Sequence, residues 1–145
     1  MKTLKILFLA VGLLGLSLAQ AQTNGPNLPS QILASAARTA ATVNSSDITN
    51  NSWRGATVLI NVSAYTSGTY TPHVQGKDPV SGTYYDVLVG PGILATGITV
   101  LKVYPGIVAT PNAAANDILP QVWRVQLIGT ASPSMTLSVG GNLIQ

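Results

Sequence analysis

The chain has 145 residues, no cysteine and no Glu, and only 8% of it is charged. That length is one domain's worth, with room for a sound core. The lack of cysteine excludes disulfide staples, thiol catalysis and thiolate zinc sites, and fits either redox compartment. The formal charge of +3 owes two units to Lys2 and Lys5, leaving Arg38, Arg54, Lys77, Lys102 and Arg124 against Asp47, Asp78, Asp86 and Asp117. These charges are scattered, without the basic stripe that nucleic-acid binding requires, so no nucleic-acid partner is expected.

Residues 1–21 read as a Sec-type signal peptide. Lys2 and Lys5 precede an apolar run over residues 6–16, and Ala19-Gln20-Ala21 supplies a small-residue cleavage site. The apolar run is shorter than the roughly 20 residues a spanning helix needs, so no stable membrane span is expected after cleavage at the Ala21-Gln22 bond. Residues 22–33 contain Gly25, Pro26 and Pro29 and show no periodicity at their start, which predicts a flexible arm.

A β-domain over residues 34–145 is expected next. Residues 31–44 read as a strand that runs into the turn-like Asn44-Ser45-Ser46-Asp47. Residues 54–65 alternate cleanly, with Val58, Ile60, Val62 and Ala64 on one side and Thr57, Asn61 and Ser63 on the other. Residues 69–89 form a β-hairpin around Gly76-Lys77-Asp78-Pro79-Val80-Ser81-Gly82. Its alternation predicts Tyr70, Val74, Tyr85, Val87 and Val89 inside and Thr71, His73, Gln75 and Asp86 outside. Pro72 predicts an edge or a bulge in the first arm.

In the strand over residues 97–104, Lys102 must face water, which turns Leu101 and Val103 inward. The long connection over residues 105–120 predicts a short helical turn around residues 112–116. Residues 121–130 then place Trp123, Val125 and Leu127 inside and Arg124 and Gln126 outside, and residues 134–145 close the chain with Met135, Leu137 and Val139 inside. Seven short strands at near-regular spacing fit an all-β fold, a single antiparallel two-sheet β-sandwich, Ig-like in architecture, with Trp123 near its centre.

No catalytic, cofactor or metal constellation is expected. His73 is the sole histidine and lacks the second titrating partner that a triad or acid–base pair needs. Asp78 reads as a turn former and does not suffice with Asp86 for a calcium site of six to eight oxygens. Asp117 reads as a loop cap. The chain has no nucleophile elbow and no phosphate-binding glycine loop. Tyr65, Tyr84 and Tyr104, on outward positions, could make an aromatic platform for a sugar; with Pro72 and His73 they form the expected contact surface.

The stretches QGKDPVSGTYYDVLVGP (residues 75–91), TVLKVYPGI (residues 99–107) and NDILPQVWRVQLIG (residues 116–129) resemble small β-sandwich proteins encoded among the structural genes of tailed phages and prophages. The resemblance spans residues 36–143 and rests on turn and strand patterns. It implies a non-enzymatic head-decoration or tail-accessory protein of a virion. Such a protein would act by protein contact, through self-association or docking on a capsid or tail lattice. The leader points to export, and so to the alternative of a secreted surface-binding or carbohydrate-binding module with a cell-surface glycan as partner.

Overall fold

The computed structural model describes residues 27–145. The expected signal peptide, and the arm as far as residue 26, lie outside the described residues. The described chain is all-β, as expected. Its strands are β1 (Asn27–Arg38), β2 (Thr42–Asn44), β3 (Ile48–Thr49), β4 (Gly55–Lys77), β5 (Tyr84–Val89), β6 (Gly97–Val103), β7 (Ala114–Ala115) and β8 (Val122–Ile144).

All eight strands belong to one sheet ordered β1-β8-β4-β6-β7, with β2 and β3 paired to β8 and β5 paired to β4. Two sheets were expected, and the difference lies in β4 and β8. Each is 23 residues long and absorbs two segments that the sequence separates at turn-forming residues. At Gly68 (φ 71°) and at Ala131 and Ser132 (φ 54° and 51°) the backbone is left-handed. Pairing nevertheless resumes across this bend, from Ser67 with Ser134 to Thr69 with Thr130. Glycine is required at position 68 on two counts: its φ, and the 2.5 Å that would separate a Cβ there from the Pro133 backbone.

The sheet is also mixed. The connection after β6 turns back and lays β7 parallel to it, with Lys102 opposite Ala114 and Val103 opposite Ala115. A turn over residues 111–113 and this two-residue strand occupy the place of the expected helical turn. Asn112 takes a left-handed φ of 59° there.

Period-two alternation in β4 buries Ala56, Val58, Ile60 and Val62, and the far half of β8 answers with Leu137, Val139 and Leu143. Beyond the bend, Tyr70 and Val74 of β4 and Trp123, Val125 and Leu127 of β8 are buried as well. Both halves of the ribbon contribute to one hydrophobic cluster, completed by Leu88, Leu101, Val103 and Leu119. Trp123 is fully buried, as expected.

Three inward assignments in the hairpin change. β5 carries an extra residue where the register shifts between Val74–Leu88 and Gln75–Asp86. Leu88 therefore enters the core, while Tyr85 is half exposed and Val87 and Val89 are only partly buried. Ala64 is exposed for the same reason, following a register shift after Val62. The arm expected over residues 22–33 is also shorter than read: from Asn27 onward the backbone is laddered to β8 as β1.

Candidate functional site

Antiparallel register gathers His73, Lys77, Asp86 and Arg124 on the outer face of one half of the sheet. In that half β4 lies between β8 and β5, so Gln75 stands opposite both Arg124 and Asp86, and His73 stands opposite Gln126. Asp47, just before β3, and Tyr84, at the start of β5, reach in from the flanks.

Gln75 is the hub. It is buried and its amide nitrogen donates to Asp86 Oδ1 at 2.9 Å and to Gln126 Oε1 at 3.2 Å. Its amide oxygen accepts from Arg124 Nε at 2.9 Å. Gln126 in turn donates to Asn44 Oδ1 at 2.8 Å. The Arg124 guanidinium lies over the Tyr84 ring, 3.4 Å from its centroid, a cation–π contact worth about 0.5–2 kcal/mol. The Tyr84 hydroxyl donates to Asp47 Oδ1 at 2.6 Å, and Lys77 Nζ donates to Asp47 Oδ2 at 2.8 Å.

The hydrogen bonds from Lys77 and then Tyr84 hold the Asp47 carboxyl below its ordinary pKa, and Asp47 holds the Lys77 ammonium above its own. His73 Nδ1 comes within 3.0 Å of Asp86 Oδ1, but the alignment is poor and this buried nitrogen has no hydrogen bond. The histidine expected on the outer face is thus on that face and largely buried, with Asp86 as a neighbour.

These groups largely satisfy one another. Both Asp47 oxygens are bonded, and so are both ends of the Gln75 amide. The face therefore offers a fixed array of donors and acceptors rather than a group poised to attack. Among the described residues no cluster of three or more His, Cys, Asp or Glu could hold a metal ion. Asp78 sits apart in the hairpin turn, accepting from Val80 N at 3.0 Å and Ser81 Oγ at 2.5 Å, which lowers its pKa. Asp117 caps its own loop through Ile118 N at 2.7 Å.

The expected contact residues do not converge. Tyr104 lies beside the start of β4, against Gly55, with its hydroxyl donating to the Gln145 carbonyl at 3.0 Å. Tyr65 lies at the bend, bonded to Gly68 O at 3.1 Å. Tyr84 lies opposite Lys77 at the far end of β4, with Arg124 already over its ring. Three tyrosines at the start, middle and end of one long strand make no shared platform.

Pro72 is buried within the sheet, between β8 and the chain that follows β5, and guards no edge. Its carbonyl accepts from Gly90 N at 2.7 Å, while its missing N–H falls where residues 90–92 leave the ladder before Ile93 pairs with Tyr70. Alternation had placed Gln75, Asp86, Arg124 and Gln126 on outer faces, but not beside one another. Only the register of two distant segments makes them a cluster. Comparison with protein-family models, curated proteins and solved structures gives no match.

Proposed function

We propose that this chain is a non-enzymatic structural or accessory subunit of a phage-type particle, a head-decoration or tail-accessory protein, acting by protein–protein contact without a cofactor. In this reading the bent ribbon is an Ig-like two-layer β-sandwich, its halves packed over their common core. The observation that carries the proposal is the pair of strands β1 and β6 at the sides of one half. Among the described residues their outer edges are unpaired over most of their length and hold little charge, with Pro29 and two register shifts on β1 and nothing comparable on β6 before Lys102. Natural sheets usually protect such edges with Lys, Pro or a covering loop. A stable contact of this kind buries on the order of 1,200–2,000 Å² in total. Sedimentation and co-pelleting with virion shells test it: association with itself or with shells is expected, and a monomer that binds neither overturns it.

A second reading, a secreted module for a cell surface or glycan, is favoured by the polar face around Gln75, Arg124 and Tyr84. It predicts binding of a soluble glycan that Arg124→Ala weakens at unchanged melting temperature. It also requires export, so mass spectrometry of the chain recovered from a Sec-competent bacterium should find an N-terminus at Gln22. A chain starting at Met1 in the cytoplasm removes this reading and leaves the virion one.

A further inference from the structure

We propose that the open edge of β6 over residues 97–101 receives β1 of a second copy of this chain, so that copies add head to tail and continue one sheet. The inference rests on the contact reading above and names the partner. It begins with the backbone of β6. Lys102 N donates to Ala113 O at 2.9 Å and Tyr104 N donates to Ala115 O at 3.1 Å, so even-numbered residues turn their amides toward the β7 side. Period two carries that orientation back to Ile98 and Val100. β7 pairs only with Lys102 and Val103, and the peptide groups of Ile98 and Val100 face outward beyond its reach. Their side chains are exposed too, at 63% and 40%.

β1 has the complementary character. Among the described residues it pairs with β8 along one side alone, its 12 residues carry no charge before Arg38, and Ala34, Ser35, Ala36 and Ala37 are all exposed. The register shifts between Leu33 and Ala36, and Arg38 Nη2 donates to the Ala34 carbonyl at 2.9 Å, an exposed bond that an incoming strand displaces. Small side chains there leave room for Ile98 and Val100 alongside. Strand direction then selects the arrangement. β1 is antiparallel to β8, β8 to β4 and β4 to β6, so β1 and β6 run in opposite directions at the two sides of one four-strand unit. A copy moved sideways across the sheet, without rotation, brings its β1 antiparallel to β6, the pairing that residues elsewhere in this unit already use. In that alignment Arg38 falls near Gly97, at the opposite end of β6 from Lys102, and the two cations stay apart.

Two different patches joined in this way make a heterologous contact, which closes into a ring or grows as a filament. That distinguishes it from a two-fold dimer, in which one edge would pair with itself. The experiment uses two edge-blocked variants, each expressed from the full-length gene and purified in the form the cell yields. Val100→Pro removes an outward-facing amide while leaving the β4 ladder intact; Ala34→Lys with Ala36→Lys places charge on β1. Melting temperatures near that of the parent show that both fold, and Ile98→Lys with Val100→Lys replaces the proline variant if it does not.

In analytical ultracentrifugation the parent is expected to form species larger than a dimer as concentration rises, each variant alone to stay monomeric at moderate concentration, and their equimolar mixture to reach twice the monomer mass and stop. In that mixture each blocked edge ends the chain, while one β1 and one β6 remain free to meet. A β6-blocked variant that still dimerises alone, or a mixture that stays monomeric, overturns the proposal. If the parent is monomeric but binds virion shells, the head-to-tail inference falls and the contact reading stands.

Discussion

The two halves of the bent ribbon share a core and differ in nearly everything outside it. Residues 69–77 of β4, with β2, β3, β5 and the first part of β8, carry His73, Lys77, Asp86 and Arg124, and Asp47 joins them from the flank. Residues 55–62, with β1, β6 and the last part of β8, have Lys102 and the terminal Arg38 as their charges. In the first half Lys77 is bonded to Asp47, and Arg124 and Asp86 are bonded to Gln75, so most of the face is internally paired; buried His73 Nδ1 is left without a hydrogen bond. The second half instead leaves backbone groups and apolar side chains open along its sides. Polar groups are costly to leave unpaired and so seek partners within the chain, whereas an unpaired strand edge can be completed by another molecule. In this protein most of the charged half is paired internally, and the proposed contact falls to the neutral half.

Removing the tryptophan of the charged half is the most severe test of their shared core. Trp123→Ala should destabilise the fold by about 3–5 kcal/mol, a large share of a domain's total of about 5–15 kcal/mol. Unfolding followed by near-UV and far-UV dichroism should remain a single transition; two separated transitions would divide the halves into independent units. A smaller effect is expected from Gln75→Ala, which strips partners from Arg124 and Asp86 in a partly buried setting. Its expected cost of about 1–3 kcal/mol is read by urea denaturation, and the association proposed for the neutral half should be unaffected.

The smallest effect is a pH dependence confined to the charged half. Because the folded Asp47 carboxyl has a lowered pKa, its stabilising contribution is complete above the ordinary carboxylate value of about 3.9 and is lost as pH falls through the lower folded value. Asp78 contributes in the same direction. Lys77, with a raised pKa, contributes below about 10.4 and loses that contribution as pH climbs through its folded value. Asp47→Asn should therefore lower the plateau of a melting-temperature profile and flatten both its acid and its alkaline limb, more visibly at low salt because the pair is partly exposed. An unchanged profile would show that the Asp47 pair contributes nothing to folding.

Much of the interior was legible because alternation is a local property. Val58, Ile60 and Val62 on one strand and Trp123, Val125 and Leu127 on another are all buried, and each trio reveals its face without reference to its neighbours. What was not legible depended on pairing at a distance. The extra residue in β5 brought Leu88 inward in place of Val87 and Val89, because a bulge is defined by the opposite strand. Residues 66–68 and 131–133 fell between separately read strands, yet the long ladder carries β4 and β8 through them. β1 was obscured at its start by the prolines and small residues that suit an arm, and its place is set by β8. The polar cluster escaped notice for the same reason: Gln75 and Arg124 become neighbours only through a register that no single segment encodes.

The pairing of β4 with β8 also sets an order of events. Gly55 finds its partner in Ile144 and Gly76 finds its partner in Trp123, so neither end of β4 can be laddered to β8 while the ribosome is still making the segment between. At about 5–20 residues per second that interval lasts seconds, and pairings so distant along the chain belong to topologies that fold in milliseconds to seconds. The nascent chain therefore passes through synthesis with β5 and β6 as the partners its central strand can find, and with the β8 side of that strand unclaimed. The shared core can close only after β8 has emerged.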